Sequence, residues 1–290
     1  NMVSGGADGI EVVLATSPLS NEHGIRLDNL ATMERLFDQV QLDLIDLKFI
    51  SGHETLAVLA MLIAYAERKG LDLNSLNVSS GLDLYSWLAC RGQFLSGFDE
   101  VQSRILDAVR FLNRQELHVK LFSADGRAWH GAGATPAQEL ACAFAGAVEQ
   151  LKLLEQAGVD PADWSDWIAF TLIADADQFG TIAKARAARR IWARILDACG
   201  LPQSRMSLHM QTSRRMMTRK DPWVNILRST VAAFAAGIGG VDSVTVLPFT
   251  QTLGLPDGFA RRLARNTQSI LIEESNLHQV ADPSAGSGAI

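Results

Sequence analysis

The sequence predicts an α/β fold of the TIM (β/α)8-barrel type, with seven strands visible and one strand missing. Short β-rich runs alternate with longer helical patterns, which is typical of a parallel sheet. No linker interrupts the alternation. This favours a single barrel domain that spans residues 1–290, and it argues against an open, doubly wound sheet. The predicted strands are Ile10–Ala15, Leu44–Ser51, Leu76–Ser80, His118–Ala124, Ile168–Ala174, Met206–Ser213 and Val241–Leu247.

Helical patterns fill the intervals between most of these strands. They cover residues 53–69, 99–115, 136–157, 178–199 and 222–238. The third pattern is the best delimited, because Pro136 stands in its first turn and Gly158 follows its last residue. Proline at the start and glycine just past the end are the expected punctuation of a helix.

Composition excludes several classes of protein. The chain is 48% hydrophobic, as in a globular domain with a full core, and its formal net charge of −6 argues against nucleic acid as a partner. It has no signal peptide and no apolar run that would span a bilayer, so no membrane association is predicted. Cys90, Cys142 and Cys199 lack the spacing of metal ligands, and we expect them to be buried thiols of a cytoplasmic protein.

One predicted strand is polar on one face. Side chains alternate along a strand, so Ser207, His209, Gln211 and Ser213 share a face while apolar residues dominate the other. Barrel strands usually aim branched apolar side chains inward. The pattern therefore indicates either an interior lined for a ligand or a polar cleft at the end of the strand.

General catalytic motifs are absent from the sequence. His53-Glu54 begins like a zinc-binding helix, but Ala57 stands where the second histidine is required. Glycines at 237, 239 and 240 follow a helix and precede a strand, which is the wrong order for a dinucleotide fingerprint and predicts a helix C-cap. The basic loop residues Arg214, Arg215, Arg219 and Lys220 predict either a solvated loop or a grip on phosphate groups.

Short motifs in a characteristic order extend along nearly the whole chain. They are AGATPAQELACAFAGAVEQL at 132–151, AKARAARRIWARIL at 183–196, SLHMQTS at 207–213, ARNTQ at 264–268, EES at 273–275 and DPSAGS at 282–287. Together they resemble the barrel domain of the methylmalonyl-CoA mutase family of adenosylcobalamin-dependent acyl-CoA mutases. The resemblance implies a barrel threaded by coenzyme A, in which the candidate substrate-binding residues are Arg91, Ser207, His209, Gln211 and Ser213.

The chain departs from the family where the resemblance locates the chemistry. Residues 125–134 read DGRAWHGAGA, which sets Arg127 at the family's tyrosine position and Ala128 at its histidine position. That histidine donates a hydrogen bond to the thioester oxygen in the family, and losing such a donor costs roughly 2.7–4 kcal/mol of transition-state stabilisation. His130 could replace it only by a shift of register. Gly81 stands where the family has a glutamine, and Arg214 stands where it has a glycine.

These departures predict a small, catalytically silent subunit of a heterodimeric methylmalonyl-CoA mutase, an isomerase of propionate metabolism, with no catalytic and no metal-binding residue of its own. The resemblance implies that the family's first strand and cobalamin-binding domain lie outside this chain, which is expected to be truncated at both ends. Adenosylcobalamin would then bind in the holo-complex but not to this chain, while a coenzyme A thioester remains a candidate ligand. The alternative is an active mutase barrel that takes cobalamin from a separate chain.

Two further expectations concern other functions and the partner. A barrel aldolase or hydrolase would need a Schiff-base lysine, for which Lys48 and Lys120 are the candidates on strands. The expected partner is a large catalytic mutase subunit, or a second copy of the chain, in contact with apolar surface. Tryptophan is enriched at binding hot spots, and the candidate anchors are Trp164, Trp167, Trp192 and Trp223, most of which we expect to pack between helix and sheet.

Overall fold

A computed structural model describes residues 6–20 and 23–290. All seven predicted strands are present in that part of the chain, and they follow one another in the sheet in the order of the sequence. A doubly wound sheet would reverse its order at a switch point, whereas a TIM-type barrel adds each strand beside the last. The strands are β1 (Gly9–Val13), β2 (Asp46–Ile50), β3 (Asn77–Leu82), β4 (Lys120–Asp125), β5 (Ile168–Ala174), β6 (Ser207–Thr212) and β7 (Ser243–Thr245).

The fold is therefore an α/β fold of the TIM-barrel type, as the sequence predicts. The printed pairings of β1 with β2, β2 with β3, β3 with β4 and β6 with β7 are all parallel. The helices are α1 (Leu30–Leu36), α2 (Thr55–Lys69), α3 (Leu84–Arg91), α4 (Phe98–Arg114), α5 (Arg127–Gly131), α6 (Pro136–Ala157), α7 (Gln178–Ala198), α8 (Val224–Ile238) and α9 (Gly258–Glu273). Among the described residues, none of these helices combines the length and the apolar character needed to cross a bilayer.

The five predicted helical patterns correspond to α2, α4, α6, α7 and α8. The sequence patterns missed α1, α3, α5 and α9. Three of these have eight residues or fewer, and so carry little periodicity. The starts of α3 and α9 are marked by aspartate N-caps, a sequence signal that would have located both helices. Asp83 accepts from the backbone of Tyr85 and Ser86, and Asp257 accepts from the backbone of Ala260.

Contacts divide the chain into two compact units. The first comprises residues 1–128 and 144–169, and the second comprises residues 129–143 and 170–290. In the first unit, Phe49 of β2 is fully buried and meets the ring of Phe37 edge-on at 6.3 Å. In the second unit, Trp192 of α7 is fully buried and meets Phe170 of β5 edge-on at 4.8 Å. Such aromatic pairs add to the free energy gained by burying their area.

The prediction of buried thiols is wrong for two cysteines. Cys90 and Cys199 are exposed, and Cys142 is half-buried. Cys90 lies in the last turn of α3 and Cys199 caps the end of α7, and helix ends near the surface leave such side chains in solvent. The glycines after α8 match their prediction, because Gly239 caps the helix and Gly240 has a positive φ of 75°.

Gly81 is a glycine that the first unit requires. Its φ is +73°, and the pairing of β3 with β4 shifts register between Ser79 and Leu82. A β-carbon at this position would lie 2.0 Å from the carbonyl oxygen of Phe49 on β2. Glycine is therefore required both by the left-handed backbone and by the close approach of the neighbouring strand.

We expect Gly81→Ala to lower the free energy of unfolding by at least about 2 kcal/mol, because strain at positive φ adds to the clash with Phe49. Urea unfolding of the whole chain measures the change. Gly97→Ala is the control, since a β-carbon added at Gly97 would have open space around it and the φ of Gly97 is −57°. An equal effect of the two substitutions would contradict the argument.

Candidate functional site

Arg127 begins α5 and is buried among carboxylates. Its Nε lies 2.9 Å and 3.0 Å from the two carboxylate oxygens of Asp125, and its Nη2 lies 2.6 Å from Oδ2. Its Nη1 donates to Oε1 of Glu11 at 3.1 Å. The planar guanidinium thus binds one carboxylate along its side and reaches a second with its remaining edge, a geometry that lysine could not reproduce.

Lys48 extends the group into a four-residue charge cluster, which consists of Glu11, Lys48, Asp125 and Arg127. Its Nζ lies 3.6 Å from Oε2 of Glu11. Because these residues come from β1, β2, the end of β4 and the start of α5, the cluster links three strands and the helix that follows β4. Burial alone would raise the pKa of Glu11, but the charges of Arg127 and Lys48 lower it below its ordinary value.

The two basic groups of the cluster respond to burial in opposite ways. Burial lowers the pKa of Lys48 to about 8, although the charge of Glu11 opposes the shift. Burial would also lower the pKa of Arg127, but Asp125 and Glu11 raise it above its ordinary value. Arg127 therefore stays charged, and Lys48 is the member that loses its proton first as the pH rises.

Asp83 adjoins this cluster through Asp125. Its Oδ2 accepts from the backbone nitrogen of Asp125 at 2.9 Å and from the hydroxyl of Ser86 at 2.7 Å. The Ser86 hydroxyl also lies 2.9 Å from the carbonyl oxygen of Asp125. Burial and the negative charge of Asp125 together raise the pKa of Asp83 to about 6, against the opposing effect of its hydrogen bonds. Asp83 thus both caps α3 and fixes the end of β4.

The second unit contains a separate group of buried polar side chains. Nε2 of His130 lies 2.9 Å from Oγ of Ser213, and its Nδ1 lies 3.5 Å from Oε2 of Glu139. Oε2 of Glu139 is also 2.7 Å from Nζ of Lys184, while its Oε1 accepts from the backbone of Ile173. Glu139 is fully buried, so its charge needs all of these partners.

The order serine, imidazole, carboxylate is that of a hydrolytic triad. The Ser213 side chain, however, is completely buried. A nucleophile needs access to its substrate. The arrangement therefore fixes the end of β6 against α5 and α6, and it offers no route for acyl transfer.

The polar strand is arranged as the alternation predicts. In β6, Ser207, His209 and Gln211 are half-buried, and the intervening residues are fully buried. His209 lies opposite Ser243 on β7, and its Nδ1 is 2.8 Å from the Ser243 hydroxyl. Ser213, just beyond the strand, is bound by His130 as described. Their role in binding a substrate stays a prediction.

The remaining candidate residues lie in varied surroundings. Arg91 ends α3, is exposed and stacks over the ring of Trp87 at 5.6 Å. Ala128 is half-buried and carries no polar group. In the basic loop, all four basic residues are exposed, and Arg215 also donates to the backbone carbonyls of His130 and Ala134 at 2.8 Å and 3.2 Å.

Sequence reasoning missed the ionic partners within both groups. It identified Lys48 only as a candidate Schiff-base lysine, and it did not identify Glu11, Glu139 or Lys184. A charged residue in the middle of a predicted strand, such as Glu11, was the available indication that a partner must be near. Within residues 6–20 and 23–290, no three His, Cys, Asp or Glu side chains group as a metal ion would require.

The sequential sheet order and the polar strand place this chain in the class of TIM-type α/β barrel proteins. The model of the family described as "Methylmalonyl-CoA mutase" matches residues 17–290. This chain therefore belongs to the methylmalonyl-CoA mutase family, as the resemblance of its motifs predicted.

Curated relatives refine the comparison. The chain is 41% identical over 256 residues to the methylmalonyl-CoA mutase small subunit of Streptomyces virginiae, which covers 88% of this chain and 41% of the relative. It is 36% identical to the small subunit of Propionibacterium freudenreichii subsp. shermanii, over 88% of the chain and 40% of the relative. It is 32% identical to the methylmalonyl-CoA mutase of Escherichia coli K12, over 91% of the chain and 37% of the relative. The chain thus spans about two fifths of the length of these relatives.

We expect Arg127→Ala to lower the free energy of unfolding by about 3–5 kcal/mol, since it leaves Asp125 and Glu11 as buried charges without their main partner. Chemical denaturation at neutral pH measures the loss. Arg68→Ala is the matched control in the same unit, because Arg68 is exposed in its ion pair with Glu34 and such pairs contribute about 0–1 kcal/mol. Similar losses for both variants would refute the structural role of the cluster.

Asp83 should make stability depend on pH in the acidic range. A carboxyl group whose pKa is raised on folding stabilises the fold below its ordinary pKa and loses that contribution as the pH rises through about 6. The wild type should therefore gain more stability between pH 7 and pH 5 than Asp83→Asn does. Unfolding curves at the two pH values give this difference, and carbon NMR of the Asp83 carboxyl gives its pKa. A midpoint near 3.8 would contradict the assignment.

Proposed function

We propose that this chain is the small, catalytically silent subunit of an adenosylcobalamin-dependent methylmalonyl-CoA mutase. The large subunit would carry out the isomerisation of methylmalonyl-CoA to succinyl-CoA, in the cytoplasm and within propionate metabolism. The observation that carries the proposal is the replacement of the family's tyrosine and histidine by Arg127 and Ala128, with Arg127 bound to Asp125 and Glu11. Relatives named as small subunits support the same conclusion.

Arg127 supports the proposal through its partners. An aromatic side chain at this position would have to lie beside cofactor and substrate, whereas the guanidinium is held by Asp125 at 2.6–3.0 Å. Withdrawing it toward a ligand would take the main cation away from two buried carboxylates, Asp125 and Glu11, which is strongly unfavourable. The residue therefore acts as a structural ion, with its guanidinium engaged by carboxylates.

The neighbouring residues do not replace the missing histidine. The side chain of Ala128 is a methyl group, and this side chain neither donates nor accepts a hydrogen bond. His130 is buried, with Ser213 at Nε2 and Glu139 facing Nδ1. Both ring nitrogens are thus engaged within the second unit, and this argues against the alternative of an active barrel that borrows cobalamin from another chain.

The residues present do not fit the family's cofactor. Adenosylcobalamin supplies radical chemistry when bound, and the protein must then hold the reacting groups apart from water. Here the residues at the positions of the chemistry are a paired guanidinium and a methyl group. We therefore assign no step of the reaction to this chain, and cobalamin to the holo-complex alone. Coenzyme A stays a candidate ligand because Ser207, His209 and Gln211 form a half-buried polar face.

The purified chain should show no mutase turnover with adenosylcobalamin supplied, and hydroxocobalamin should produce no saturable spectral shift. The large subunit should convert methylmalonyl-CoA when supplied with the cofactor, and the chain should raise its thermal midpoint when the two are mixed. The large subunit mixed with an unrelated barrel protein is the control. Turnover by the chain alone, or cobalamin binding to it at micromolar concentration, would show that the subunit is not silent.

A further inference from the structure

The outer surface of α8 is unusually apolar. Trp223, Leu227 and Val231 recur at every fourth residue and therefore share one face of the helix. Their exposed fractions are 60%, 68% and 36%. The outer face of a helix that covers a sheet normally carries charged and polar residues, yet α8 has a single charged side chain, Arg228, which donates to the backbone carbonyl of Met216.

The opposite face of α8 already packs within the second unit. Its buried residues are small, and they include Ala232 and Ala236. Ala233 packs with Val246 and Leu271 in a core cluster. The exposed residues are thus not turned outward by a poorly packed helix, because the inner face has its own partners. They form a second apolar face on the same helix, and such a face marks an interaction site.

Aromatic rings extend this face toward α9. Trp223 stacks on Phe249 with ring centroids 5.0 Å apart and meets the edge of Phe259 at 6.4 Å. Phe259 is itself 45% exposed. We call Trp223, Leu227, Val231 and Phe259 the α8 surface. Stacking holds the indole in one orientation, so that its ordering costs little when a partner covers it.

Basic side chains border the α8 surface. Arg219 and Lys220 precede α8, Arg261 and Arg262 lie in the first turns of α9, and all four are exposed. The guanidinium of Arg262 lies 5.7 Å from the ring centroid of Phe259. The same segments contain two exposed acids, Asp221 and Asp257. The border is therefore locally basic, although the whole chain has a net charge of −6.

We propose that the α8 surface binds the large mutase subunit, through an apolar surface of that subunit surrounded by carboxylates. This inference rests on the proposed function. Charge selects the occupant, since two copies of this chain joined through this surface would bring two basic borders together. Like charges across an interface are unfavourable, whereas complementary charges direct association. Trp223 and Leu227 would be the anchors at the centre of the contact.

The test measures the affinity of the full chain for the large subunit of the same organism. Leu227→Asp should weaken binding by about 30-fold or more, as expected for a central anchor. Leu44→Asp is the matched control, because Leu44 is 69% exposed and lies in the first unit. The affinity of this variant for the large subunit should stay within about twofold of the wild type. Leu227→Met should retain binding. Circular dichroism and the thermal midpoint check that each variant is folded.

A second, independent test uses the double variant Arg261→Glu, Arg262→Glu. This variant should slow association and reduce its dependence on salt, since it removes the complementary charge. If wild-type chain and large subunit bind but Leu227→Asp binds equally well, the inference is wrong and the proposed function stands. If the wild type does not bind the large subunit, the proposed function fails too. Self-association that Leu227→Asp abolishes would overturn the choice of partner.

Discussion

The pairing of buried charges is the constraint on which the first unit depends. A charge removed from water costs several kcal/mol unless an opposite charge and hydrogen bonds replace the solvent. Arg127 meets this condition only because Asp125 holds one edge of its guanidinium and Glu11 holds the other. The positive charge of Lys48 then balances the negative charge at the second carboxylate oxygen of Glu11. Each member therefore fixes the position of the next, and ion pairs link β1, β2 and the end of β4.

The second unit solves the same problem with a different set of residues. Glu139 is fully buried. Its Oε2 contacts Lys184 and His130, and its Oε1 accepts from the backbone of Ile173. His130 in turn binds Ser213 at the end of β6. Polar groups that a ligand-binding barrel would keep available are here satisfied by neighbours in the same unit. The charge groups of both units thus serve the fold, which agrees with the proposed role of a catalytically silent subunit.

The sequence predicted the strands and the family, but not these networks. Period-two alternation located β6 and its polar face, and Pro136 and Gly158 located both ends of α6. Helices of five to eight residues were missed because one or two turns contain too few residues to show a period. The partners of Arg127 were out of reach for another reason. Glu11 is 116 residues away, and only the register of the sheet brings the two side chains together. Ala128, by contrast, is informative from the sequence alone, because a methyl group cannot donate a hydrogen bond in any geometry.

The departures of this chain from the family's residues are bound up with its packing. Restoring a tyrosine at position 127 would remove the cation that Asp125 and Glu11 require, so the two acids would have to change as well. A glutamine at position 81 would meet the carbonyl of Phe49 and a positive φ, so the bulge in β3 would have to be rebuilt. Neither change can occur alone without a cost in stability comparable to a large share of the total for a domain. Positions 127 and 81 are thus tied to their neighbours, and replacing either residue by the one the family has would demand several simultaneous substitutions.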